Sequence, residues 1–152
     1  MKKLLTALVA ALALLALGAT AGAQTPGEIP FPAPKADVFV AADTGTTTGA
    51  ATNLVTRGAS VVFRAYAADM KSKKVLTDKD VKYFYVKIPG QPNVKLAYGK
   101  IGERFLWTGT WTVPAAQPLG LVEFKVLVRT NARRYGSFVQ PGVTNAMLTV
   151  TG

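Results

Sequence analysis

Beyond residue 36 the apolar positions recur mostly at every second residue, the spacing of half-buried β-strands rather than of helices. In Ala59–Ala67, Val61, Phe63 and Ala65 fall on one face, and Ser60, Arg64 and Tyr66 on the other. In Val81–Ile88, Phe84, Val86 and Ile88 alternate with Tyr83, Tyr85 and Lys87. In Leu121–Arg129, Val122, Phe124, Val126 and Val128 alternate with Glu123, Lys125, Leu127 and Arg129. Ala146, Leu148 and Val150 alternate with Met147 and Thr149 at the end of the chain. Asp37–Ala41, Val94–Ala97, Phe105–Thr112 and Tyr135–Val139 complete the set of expected strands.

Turn-forming residues separate these segments. Thr44–Gly49, Pro89–Asn93, Tyr98–Gly102, Pro114–Gly120, Asn131–Gly136 and Pro141-Gly142 carry the Gly, Pro and Asn that tight connections require. No segment after residue 23 carries a helical stripe, and Lys71–Lys82 has room for a single helical turn at most. About seven to eight short strands, spaced roughly ten residues apart, predict an all-β antiparallel sandwich over residues 36–152.

The first 35 residues follow other rules. Lys2 and Lys3 precede an apolar run from Leu4 to Leu17, and Ala21-Gly22-Ala23 follows it, the layout of a secretory signal peptide over residues 1–23. The run is shorter than the roughly 20 residues that span a bilayer. Cleavage after Ala23 leaves 129 residues, with Gln24 first, and no integral membrane segment. The expected location is therefore outside the cytoplasm, periplasmic or extracellular. Residues 24–35 hold Pro26, Pro30, Pro32 and Pro34, which favour extended polyproline geometry: a linker, or a strap lying on the domain.

Three stretches resemble bacterial immunoglobulin-like modules. They are Asp69 with Leu76–Lys82, Phe105–Pro114 and Pro118–Val126, which are similar to an inter-strand loop, a late strand ending at Pro, and the turn and strand after it. The resemblance implies an immunoglobulin-like sandwich acting in adhesion, spacing or accessory binding. The Cys…Trp…Cys pattern of antibody domains is missing, so this is a disulfide-free variant.

Composition removes most chemistries. The chain contains no Cys and no His, which eliminates thiol nucleophiles, imidazole triads and soft-metal sites. Its three serines, Ser60, Ser72 and Ser137, all lack a lysine three positions on, so a Ser–Lys nucleophile pair is not encoded either. Glu28, Glu103 and Glu123 are poor candidates for a glycosidase carboxylate pair, lying in the Pro-rich segment or at turn and outward strand positions. The protein is read as a non-enzyme with no cofactor and no metal. Oxygen ligands for calcium are present at Asp69, Asp78 and Asp80, but lysines crowd the same stretch and repel a cation.

Two surfaces remain as binding candidates. Net charge is +10, or +8 once Lys2 and Lys3 leave with the signal. Lys71, Lys73, Lys74, Lys79 and Lys82, with Arg133 and Arg134, form basic loops suited to an anionic or saccharide polymer of the cell envelope. Nucleic acid is not an expected partner, since no stacking motif accompanies the bases. The second surface assumes that Val81–Ile88 and Leu121–Arg129 are neighbours. Tyr83, Tyr85, Lys87, Leu121, Leu127 and Arg129 then share one sheet face, a contact surface for another envelope or secreted protein. Trp107 and Trp111, four apart in one strand, point to the same face and are assigned to the core rather than to a sugar platform.

Overall fold

A computed structural model describes residues 37–140 and 147–152. The expected signal peptide and Pro-rich segment lie outside the described residues, as does Ala146. Among the described residues there is no helix, and the chain forms two four-stranded sheets and one small three-stranded sheet.

The first sheet comprises β1 (Val38–Gly45), β3 (Ser60–Asp69), β7 (Arg104–Thr112) and β6 (Ala97–Ile101), in the order β1-β3-β7-β6. The second comprises β10 (Tyr135–Val139), β9 (Lys125–Thr130), β4 (Val81–Lys87) and β5 (Val94–Lys95), in the order β10-β9-β4-β5. All pairings within these two sheets are antiparallel. Taken in chain order, these eight strands reproduce the ABED and GFC arrangement of immunoglobulin sandwiches, with one added strand beside C. The small sheet joins β2 (Leu54–Thr56), β11 (Thr149–Thr151) and β8 (Gly120–Leu121), and here β11 runs parallel to β2.

Alternation in the sequence becomes burial in the fold. Every second residue of β3, from Val61 to Asp69, is buried, because a pleated strand turns successive side chains to opposite faces. Phe63 meets Phe124 edge-on at 5.0 Å between ring centroids, and Phe84 meets Trp107 at 5.0 Å. The second contact joins β4 of one sheet to β7 of the other. Both tryptophans are buried, and Trp107 Nε1 donates to the Leu76 carbonyl at 3.0 Å, pinning the loop that leads into β4.

Three strand expectations change. The segment 121–129 is not one strand: Leu121 belongs to β8, and pairing with β4 resumes only at Lys125. Val122 and Phe124 keep their inward positions between the two. Val94–Ala97 is also divided, because the chain passes from the second sheet to the first at the buried Leu96. Gly109 makes that passage feasible, since a Cβ there would stand 2.7 Å from both Leu96 Cδ2 and the Lys95 carbonyl oxygen. The Tyr98–Gly102 turn proves to be mostly strand β6, with the reversal shifted to Gly102 at φ +60°.

The edges β1 and β10 close one side of the sandwich. Asp37 N–H donates to the Tyr135 carbonyl at 3.1 Å. A Cβ on Gly136 would overlap the Val38 carbonyl oxygen and lie 2.8 Å from Val38 Cβ. Only a residue without a side chain permits that approach.

Candidate binding surfaces

At the end of the sandwich where β3 and β9 finish and β4 and β10 begin, three loops interlock. Asp69, 1% exposed, anchors the first: its Oδ1 accepts from Ser72 N–H (2.7 Å), Ser72 Oγ–H (2.9 Å) and Lys71 N–H (3.1 Å). Its other oxygen pairs with Arg134 of the β9–β10 hairpin. Asp80 anchors the second loop, accepting from Lys74 Nζ (2.8 Å) and from Thr77 N–H and Oγ–H at 3.1 and 3.0 Å. The hairpin is the third: Asn131 N–H donates to the Asp80 carbonyl and its side-chain amide to the Lys79 carbonyl, both at 2.9 Å.

These bonds settle the ionisation of the two acids. The backbone N–H of Ser72, ahead of its hydroxyl and Arg134, holds the Asp69 carboxyl below the usual carboxylate range. The Lys74 ammonium and the Thr77 donors lower Asp80 to about 2. Both carboxylates therefore stay charged at neutral pH and already face protein donors. Among the described residues, no group of three or more acidic side chains is placed to hold a metal ion.

The same bonds bring the cations together. Lys71, Lys73, Lys74 and Lys79 sit on the first two loops and Arg133 and Arg134 on the third, so lysines and arginines far apart in sequence share one end of the domain. Lys74 and Arg134 are committed to Asp80 and Asp69. Lys71, Lys73, Lys79 and Arg133 are exposed. Lys73 (φ 62°) and Arg133 (φ 60°) are the two non-glycine residues with left-handed backbone among those described. That conformation costs an L-residue roughly 1–2 kcal/mol. Lys82 belongs elsewhere, with its Nζ 5.5 Å from the centre of the Tyr83 ring.

The second surface is only partly assembled as the alternation implied. β4 and β9 are neighbours, with Tyr83 opposite Arg129, Tyr85 opposite Leu127 and Lys87 opposite Lys125. β10 extends the first row, since Tyr135 lies opposite Arg129, whose guanidinium sits 5.4 Å from the Tyr135 ring centre. Alternation within Tyr135–Val139 does not place Tyr135 on this face, because its cross-strand register is a long-range property. Two members depart from the expected face. Leu121, 53% exposed, lies in the small sheet opposite Thr149 and not beside Tyr83. Tyr85 is only 7% exposed against 39% for Tyr83, so it is a buried residue and not an open anchor. Lys87, Leu127 and Arg129 are half-buried.

A third feature has no counterpart in the sequence pattern. On the outer face of the first sheet, a groove of about 620 Å³ runs between the turn after β1 and the β6–β7 hairpin. Tyr66 and Leu106 lie among its lining residues, with Asp43, Arg64 and Arg104. Arg64 grips Asp43 with two bonds, Nε to Oδ1 at 2.7 Å and Nη2 to Oδ2 at 2.8 Å, and donates a third to the Gly49 carbonyl at 2.8 Å. The Asp43 bond raises the Arg64 pKa above its usual value.

No protein-family model and no curated protein matches the chain. Among solved structures, it is similar to one described as the GspB Siglec domain, at 16% identity and a TM-score of 0.40. That match covers 72% of this chain and 56% of the other, so the chain spans little more than half of that structure's length.

Proposed function

We propose that the protein is a non-catalytic binding module of the exported space that engages an anionic polymer of the cell envelope through its interlocked basic loops. The carrying observation is the convergence of Lys71, Lys73, Lys79 and Arg133 on one end of the sandwich, held by the Asp69–Arg134 and Asp80–Lys74 pairs. A merely solvated basic surface needs no such framework. It also has no reason to place lysine and arginine at the two left-handed positions, where glycine or asparagine is less strained. Backbone held in sparsely populated regions concentrates at functional sites, and here it presents cations at two loop tips. Clustered positive charge concentrates an anionic chain by long-range attraction and weakens with salt.

The test compares retention on a resin bearing a polyphosphate or polyuronate with retention on a plain sulfonate resin of equal charge density. The proposal expects elution from the polymer at distinctly higher salt, and loss of that difference in Lys73→Gln with Arg133→Gln. Equal elution from both resins would show generic basicity only.

A second reading, binding of an envelope or secreted protein through the second sheet, draws on the Tyr83–Arg129–Tyr135 row. Tyrosine and arginine are frequent interface anchors. The burial of Tyr85 and the displacement of Leu121 shrink that surface, which ranks it below the basic end.

A further inference from the structure

We propose that the groove on the outer face of the first sheet is a binding site for an uncharged oligosaccharide, independent of the basic loops. The strand register builds it. Tyr66 lies on β3 opposite Ala41 of β1, so one flank of the ring is a methyl group and not a covering side chain. Beyond it, Leu106 pairs with Gly99 of β6, where even an added Cβ would meet nothing within 4 Å. Ala41 thus leaves one side of the half-buried Tyr66 ring uncovered, and Gly99 leaves open space beside Leu106. The volume, about 620 Å³, lies within the range of roughly 300–1,000 Å³ found for small-ligand sites.

The walls select the chemistry. Each Asp43 oxygen accepts one bond from Arg64, and the side chain remains 60% exposed, so lone pairs stay available to incoming hydroxyl groups. Arg104 lines the same groove and supplies N–H donors. Paired acceptors and donors around an aromatic ring match a sugar, which offers hydroxyls of both kinds at its edge and C–H groups on its face. Asp43 and Arg64 neutralise each other, so the groove lacks the clustered free cations that a polyanion needs. A peptide that binds by strand addition needs an open backbone edge, whereas β3 and β7, which carry Tyr66 and Leu106, are interior strands with partners on both sides.

The experiment is a titration of the ¹⁵N-labelled protein with cello-, malto- and chito-tetraose, followed by backbone amide shifts. The proposal expects saturable shifts at Ala41, Asp43, Tyr66 and Leu106 with at least one oligomer. It also expects unchanged titration in Lys73→Gln with Arg133→Gln, which separates this site from the basic loops. Tyr66→Ala should weaken binding roughly tenfold or more, about the effect of 1.4 kcal/mol, while Tyr66→Phe keeps the ring and most of the affinity. If Tyr66→Ala fails to fold, Arg104→Gln replaces it, with loss of affinity expected. No shift in the groove with any oligomer overturns the assignment. So does an undiminished affinity without the ring, or saturation of the groove by a peptide and by none of the sugars.

Discussion

Arg134 and Asp69 form an ion pair that ties the β9–β10 hairpin to the turn after β3, so the fold of the basic end depends on one buried carboxylate. Asp69→Asn removes that charge, weakens the acceptor for Lys71 and Ser72 and leaves Arg134 without its counter-ion. The melting temperature should fall. Retention on the anionic polymer should fall with it, although no exposed cation has been lost.

Acid should act on the same loops. Asp69 and Asp80 both have carboxyl groups depressed in the folded state, Asp69 mainly by the Ser72 amide and Asp80, to about 2, mainly by Lys74. A depressed carboxyl contributes stability that is fully present above its unfolded value, near 3.9, and is lost as pH falls through the folded value. Thermal melts should therefore be insensitive to these two groups above about pH 5 and weaken progressively between about pH 4 and 2. A Lys74→Met variant should show less of this acid sensitivity.

Phe124→Ala should destabilise the domain by about 3–5 kcal/mol, the range for a buried aromatic ring. Phe124 is buried against Phe63, although it lies in no strand. Urea denaturation measures this. A loss below about 1 kcal/mol would contradict the inward position, because a one-residue slip inverts every side chain.

Glycines at two positions should respond oppositely to the same methyl group. Gly136→Ala drives a Cβ into Val38 and should cost at least about 1–3 kcal/mol, the usual penalty of overpacking. Gly99→Ala meets open space in β6 and should be neutral or stabilise by up to about 1 kcal/mol.

Tyr83→Ala and Tyr85→Ala should separate cleanly. Tyr83 is exposed at 39%, and its loss should stay within about 1 kcal/mol, as for most surface substitutions. Tyr85 is buried, and its loss should cost about 2 kcal/mol or more. Equal small effects would return Tyr85 to the open face.

Local pattern was enough to establish most of the strands and their inward faces. Val61, Phe63, Phe84, Val86, Val126 and Val128 are all buried where a period of two places them, because the pleat fixes which side a residue takes whatever its neighbours are. The absence of Cys and His is likewise complete information about thiol and imidazole chemistry. Which strands become neighbours is a different matter, since it depends on contacts between residues distant in the chain. No local signal revealed that Leu121 would join Thr149, that Leu96 would carry the chain between sheets, or that Tyr135 would fall beside Arg129. Tyr85 keeps its strand parity and is buried nonetheless, for alternation names a face without stating its solvent exposure. The basic residues were legible one by one. Their union rests on Asp69, Asp80 and Asn131, three polar side chains whose partners are assembled only when the loops meet.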